Sequence, residues 1–214
     1  MNNRTGQDIL YGMNVVREAV RSGRRNVTQQ FVTTGETISV GPTTLSILWP
    51  SRDQIARMNP QPSSLGQLGQ FNASSVLGAS SPDLNDGSIV FALRYGSFDA
   101  LFTGDADTRV ESQWRDAIPT PLLRQLADAQ GQALGVLEVL KYPHHGSKTA
   151  MTAEFLESLN PKLAVISVGK NSYGHPSEAA IATLATRGVQ VKRTDREGDI
   201  EVVSDGKTWN YRVK

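Results

Sequence analysis

The chain has 214 residues, 38% hydrophobic and 20% charged, enough to bury a core and too apolar for a disordered polar segment. Lys and Arg number 22 against 21 Asp and Glu, a formal net charge of +1, so bulk capture of nucleic acid or anionic membrane is excluded and any anion site must be local. The absence of cysteine removes disulfide scaffolds, thiolate zinc sites and cysteine nucleophiles, and no run approaches the roughly 18 apolar residues of a spanning helix.

Residues 8–22 place Ile9, Met13, Val16 and Val20 at helical spacing, with Gly23 as the stop. Arg17, Arg21, Arg24 and Arg25 cluster near that helix end, where the macrodipole favours solvated cations. From Gln30 to Pro50 the β-branched runs FVTTGETISVG and TTLSILWP, broken at Gly41-Pro42, predict a hairpin. Residues 51–87 lose periodicity and predict a long loop, with one short helix near Arg52–Met58. SIVFALRY and FDALFTGD are two strands joined at Gly96-Ser97. Residues 107–116 and 119–130 are helical, Pro119 and Pro121 suiting the start of the second. A strand VLEVLKYP, a helix AEFLESL, a strand KLAVISVG and a helix over 177–187 ended by Gly188 follow. VQVKRTD, GDIEVVS and KTWNYRV close the chain as strands. Strands alternating with helices indicate an α/β arrangement finished by an antiparallel segment, in one domain spanning 1–214.

Three strand ends carry nearly all the polar groups suited to chemistry. The first is Thr103-Gly104-Asp105-Ala106-Asp107, where glycine lets the chain turn so that Asp105 points into a cleft. Taken alone, a carboxylate that only caps the next helix is the simpler reading of this segment. The second is Lys141-Tyr142-Pro143-His144-His145-Gly146-Ser147-Lys148, two imidazoles after an apolar strand and beside an N–H-rich, hydroxyl- and ammonium-bearing turn. Histidine is the commonest metal ligand, and here a functional role outweighs a buried neutral pair. The third is Gly169-Lys170-Asn171-Ser172-Tyr173-Gly174-His175-Pro176. His175 with Lys170 and Asn171 suits a phosphate contact or proton donation, and equally a plain turn leading into a helix. The chain's three histidines end two successive strands and a Gly-Asp ends an earlier one, an arrangement that converges on one cleft.

Read together, TGDAD, LEVLKYPHHGSK, LAVISVGKNSYGHPS and VKRTDREGDI resemble the C-terminal portion of a metallo-β-lactamase-fold hydrolase. The resemblance is to the competence-protein type, the soluble domain of the ComEC/Rec2 DNA-uptake channel and its stand-alone relatives, from about Asn85 to about Thr208. It implies an αββα sandwich with two divalent metals, zinc or manganese, and hydrolysis of a phosphodiester, DNA being the implied substrate. A divalent cation lowers the pKa of bound water from about 15.7 to about 7, which supplies a nucleophile for such esters. The resemblance makes Asp105 the bridging carboxylate and one of His144 and His145, with preference for His145, the late histidine ligand. The other histidine, with Ser147, Lys148, Asn171, Tyr173 and His175, then faces the substrate, His175 as a catalytic group.

The sequence also departs from that pattern. The family's early H-x-H-x-D-H motif has no counterpart, since no histidine precedes His144. Asn85-Asp86-Gly87-Ser88 stands where a middle histidine is expected, with Asp86 as a substitute carboxylate ligand. A catalytic zinc takes about three protein ligands plus a water, so one incomplete site is expected from Asp105, His144 or His145, and Asp86. The chain is therefore expected to be an incomplete or impaired form of a nuclease or phosphodiesterase, binding metal poorly when alone. An uncovered sheet face inviting oligomerisation, or complementation by a missing N-terminal part, goes with that expectation. The contrasting reading is a non-catalytic binding module that has lost its metal. The opening MNNRTGQDILYG has no signal-peptide core, which suits the cytoplasm for the chain as given and an extracytoplasmic place as part of a competence channel.

Overall fold

Alternation of side chains along short strands lays out the sheet. The computed structural model describes residues 32–58, 83–115 and 137–214. Every element below belongs to the unit Thr33–Lys214. The predicted helices 8–22 and 119–130, the basic cluster Arg17–Arg25, and the loop over 59–82 lie outside the described residues.

Strands β1 (Thr37–Val40) and β2 (Thr43–Trp49) form the expected antiparallel hairpin, turning at Gly41 with φ +57. The first of them is shorter than its β-branched run, because Thr33–Glu36 close a turn against β2 instead. Helix α1 (Arg52–Met58) occupies the place where one short helix was predicted. A 3-10 turn, Leu84–Gly87, leads into β3 (Val90–Tyr95), which pairs antiparallel with β2 and with β4 (Phe98–Phe102). The tight turn at Gly96 takes φ +60, and a Cβ there would lie 2.2 Å from the Gly206 carbonyl oxygen. From β4 onward the pairing is parallel, through β5 (Val139–Lys141), β6 (Leu163–Ile166) and β7 (Gln190–Arg193), completing a seven-stranded sheet in chain order.

Helices α2 (Thr108–Arg115), α3 (Ala153–Leu159) and α4 (Glu178–Thr186) fill the crossovers. Their apolar stripes, Val110 and Trp114, Phe155 and Leu156, and Ala180 and Leu184, pack on Leu48, Val90, Ala92, Leu101, Leu140, Ala164 and Ile166 of one sheet face. The intervening residues Leu93, Phe98, Ala100, Phe102, Val139, Leu163 and Val165 point to the other face. There β8 (Ile200–Ser204) and β9 (Trp209–Val213), a separate antiparallel hairpin, cover them with Val202, Trp209 and Tyr211. The expected α/β architecture is thus observed as a mixed sheet between a helical layer and a β layer. One turn was not anticipated: the run VQVKRTD ends as strand at Arg193 and continues as helix α5 (Thr194–Glu197).

The sheet places the site by making β4, β5 and β6 parallel neighbours. Their C-terminal ends, at Phe102, Lys141 and Ile166, therefore open on the same edge, where α/β proteins display functional groups.

Candidate functional site

Asp105 and Asp107 follow β4 and have opposite roles. Asp107 is the helix cap: its Oδ1 accepts the Arg109 backbone N–H at 2.9 Å, and its side chain is buried. Asp105 is free of capping and faces the site. Its backbone N–H donates to the Ser88 hydroxyl at 3.1 Å, tying the turn after β4 to the segment preceding β3. The capping alternative thus belongs to Asp107 and the outward carboxylate to Asp105.

His145 meets Asp105 directly. Its Nε2 lies 3.5 Å from Asp105 Oδ1, while its Nδ1 lies 2.6 Å from the Ser167 carbonyl oxygen at the end of β6. A carbonyl only accepts, so Nδ1 carries the proton and Nε2 is the nitrogen turned toward the carboxylate. The carboxylate's hydrogen bond raises the His145 pKa above its ordinary 6.5, and the same contact holds Asp105 below its ordinary 3.8. Lys141, the last residue of β5, donates from Nζ to the Gly104 carbonyl oxygen at 2.6 Å and lies 3.8 Å from Asp105 Oδ1. Burial pushes the Lys141 ammonium pKa down, and the Asp105 charge opposes that shift. Both His144 and His145 have positive φ, 45 and 53, a conformation few non-glycine residues adopt and one often associated with function.

His144 turns to a different set of partners. Its Nε2 is 3.3 Å from Asn85 Nδ2, its Nδ1 is 4.0 Å from Asp107 Oδ2, and its ring meets the His175 ring edge-on at 5.7 Å. Burial, then the two neighbouring imidazoles, push the His175 pKa down. Asn171 fixes the loop that delivers His175, donating to the Gly169 and His175 carbonyls at 2.9 and 2.8 Å and accepting the Tyr173 and His175 N–H groups at 3.1 and 3.0 Å. The two histidine loops are joined by the Ser177 N–H to Gly146 carbonyl bond of 2.8 Å.

Ser147, Lys148 and Asp86 have surroundings of their own. The Ser147 side chain is buried, with its hydroxyl against Thr149 at 3.2 Å, so it builds the turn. Lys148 is exposed. Asp86 faces Arg109, its Oδ1 3.3 Å from the guanidinium, and its backbone carbonyl accepts the Trp49 indole N–H at 2.6 Å. Arg109 is shared among Asp83, Asp86 and Asp107, which draws those carboxylates into an ion-pair network. Burial is the main reason the Asp86 pKa is raised. Ser167 joins the site with no signal in the sequence, while Lys141, Asn85 and Ser88 belong to the marked segments 141–148 and 85–88, which carry no role for them because those roles depend on partners distant in the chain. A charged residue closing an otherwise apolar strand was the available signal for Lys141.

Asp105 and His145 have the donor chemistry of metal ligands: a carboxylate oxygen, and an imidazole nitrogen whose other ring N–H is anchored on a carbonyl, the usual support of a ligating histidine. Among the described residues, however, no three His, Asp or Glu side chains are gathered to hold one metal ion. The pair fits as part of a metal centre and does not make up a catalytic one, which takes about three protein ligands.

No family model matches the sequence. Among curated proteins the chain is similar to ComE operon protein 3 of Bacillus subtilis, 32% identical over 142 residues, 64% of this chain and 16% of that protein. It is also similar to competence protein ComA of Neisseria gonorrhoeae, 33% identical over 120 residues, 56% of this chain and 16% of that protein. Recombination protein 2 of Haemophilus influenzae is 28% identical over 119 residues, 55% of this chain and 13% of that protein. The chain thus spans about a sixth of the length of the relatives it matches. These likenesses support a relationship to competence proteins. Among the described residues no helix is long and apolar enough to cross a membrane.

Proposed function

We propose that the chain is the substrate-facing part of a metallo-β-lactamase-type phosphodiesterase that handles DNA during competence, in a form whose metal centre is incomplete. The observation that carries this reading is the Asp105–His145 pair, with His145 Nδ1 committed to the Ser167 carbonyl so that Nε2 and the carboxylate share one direction. In a complete centre these two would serve as ligands, zinc and manganese being the metals of choice for such a donor set. The described residues alone do not complete that centre. The chain's own contributions are to hold Asp105 ionised beside Lys141, to fix the tautomer of His145, and to present His144 and His175 along the same edge. The competence names of the relatives are what support DNA as the substrate.

A non-catalytic binding module is the second reading, favoured by one observation. The Lys141 ammonium already stands 3.8 Å from Asp105 Oδ1, a resident cation beside the carboxylate that a metal would need. Calorimetric titration of the chain with manganese and zinc, paired with cleavage of a labelled oligonucleotide, separates the two. The hydrolase reading expects weak binding of one metal that Asp105→Ala abolishes, with cleavage appearing when a partner segment supplies further ligands. Metal binding unchanged in Asp105→Ala would refute the assigned ligand role, and absence of metal binding altogether would favour the module.

A further inference from the structure

The loop after β6 ends in a side chain that neither the sheet nor the metal-type pair uses. Tyr173 is 81% exposed, the most exposed of the large apolar side chains among the described residues. Its ring stands beside the His175 ring, 6.0 Å between centroids and 25° between planes, and most of its surface is open to solvent. The loop beneath it is fixed by the four hydrogen bonds of the Asn171 side chain, one of which takes the Tyr173 N–H itself. The platform is also tied to the site, since His175 meets His144 edge-on at 5.7 Å.

We propose that Tyr173 is a stacking platform for an unpaired base, so that the nucleic acid engaged at this edge is single-stranded. This rests on the reading of the site as one that handles DNA. An exposed tyrosine ring on a hydrogen-bonded loop offers a flat π-surface at a small ordering cost, because the side chain has only two χ angles. Such stacking tolerates any base and needs a base that is not already stacked on its neighbours, which a duplex does not offer without distortion. Exposed Lys148 and Lys170 stand on the same two histidine-bearing loops and supply ammonium groups for backbone phosphates. With a net charge of only +1 over the chain, affinity must come from these local contacts and not from the field of the whole protein.

The test is fluorescence anisotropy of the full chain with a labelled oligothymidylate, in chelator so that metal and cleavage play no part. Tyr173→Ala is expected to weaken binding about tenfold, and Tyr173→Phe and Tyr173→Trp to keep it within about twofold. An oligonucleotide of the same length lacking bases should bind wild type about as weakly as the intact one binds Tyr173→Ala. Two phosphate contacts predict a slope of log K against log salt of about −1.4. Equal binding by wild type and Tyr173→Ala, equal binding of the base-free strand, a preference for duplex, or no binding by wild type would each overturn the proposal. A urea midpoint unchanged in Tyr173→Ala confirms that the exposed substitution left the fold intact. The hydrolase reading fails or stands separately, on the calorimetry and cleavage described above.

Discussion

Gly146→Ala measures how tightly the two histidine loops are interlocked. Gly146 has φ +84, and an added Cβ would lie 2.4 Å from Pro176 Cβ and 2.9 Å from Pro176 Cα. Carbon atoms settle at about 3.5–4.0 Å, so one loop would have to retreat by about 1 Å. Left-handed backbone costs an alanine about 1–2 kcal/mol, and forcing a methyl into a packed contact costs about 1–3 more. The sum, about 2–5 kcal/mol, is a large share of the about 5–15 kcal/mol that holds a domain folded. Gly174→Ala is the matched control, because Gly174 has φ +79 with nothing within 4 Å of the added Cβ, leaving only the backbone cost. Urea unfolding followed by tryptophan fluorescence reads both variants, and the difference between them isolates the steric contact. Gly146→Ala is expected to be the more damaging by about 1–3 kcal/mol. Equal losses in the two variants would refute the interlocking of Gly146 against Pro176, and with it the rigid convergence of His144 and His145 with His175.

Three further outcomes follow from the same geometry. Asp105→Asn should lower the His145 pKa, since the carboxylate's hydrogen bond is what raises it; imidazole NMR across pH reads the change. A raised histidine stabilises below its ordinary 6.5 and loses that contribution as pH rises through the folded value, while a depressed Asp105 stabilises above its ordinary 3.8 and loses that as pH falls. The stability difference between wild type and Asp105→Asn should therefore be largest between 3.8 and 6.5 and fade on the alkaline side; a difference independent of pH would contradict the pairing. Asn171→Ala removes four exposed bonds worth roughly 0.5 kcal/mol each, so hydrogen exchange at the Tyr173 and His175 amides should quicken at least tenfold; unchanged exchange would show the loop is held by something else. Glu111→Ala strips the buried carboxylate that accepts the Thr152 N–H at 2.8 Å and the Thr152 hydroxyl, loosening α3 at its cap, and should cost about 2–3 kcal/mol in urea unfolding, a loss below about 0.5 kcal/mol speaking against it.

The strands were legible because β-branched and apolar runs of strand length, such as FDALF and LAVI, are bounded by glycine, proline and polar turns. Their ends were less so. VLEVLKYP keeps only Val139–Lys141 in the sheet, since Leu137 and Tyr142 are buried without extending the strand. Of the site, the Gly-Asp turn and the histidine pair stood out because glycine and histidine at strand ends are few and chemically distinctive. Division of labour inside each pair came from the family resemblance alone, not from any local pattern. Which aspartate caps depends on where α2 begins, and which histidine meets Asp105 depends on two positive-φ residues that turn the rings in different directions. Lys141 and Ser167 owe their roles to parallel pairing of β4, β5 and β6, a long-range relation that no local pattern carries. The place of Asp86 in the Arg109 network likewise arises from a contact across 23 positions, from 86 to 109.

The central claim is that His145 offers Nε2, beside the Asp105 carboxylate, to a metal ion. Nitrogen-15 NMR of the three imidazoles during a zinc titration tests it most directly. The account predicts that the His145 Nε2 resonance moves, that Nδ1 stays protonated against Ser167, and that Asp105→Ala abolishes the response. A response centred on His144 or His175 with His145 silent, or one indifferent to Asp105, would contradict it.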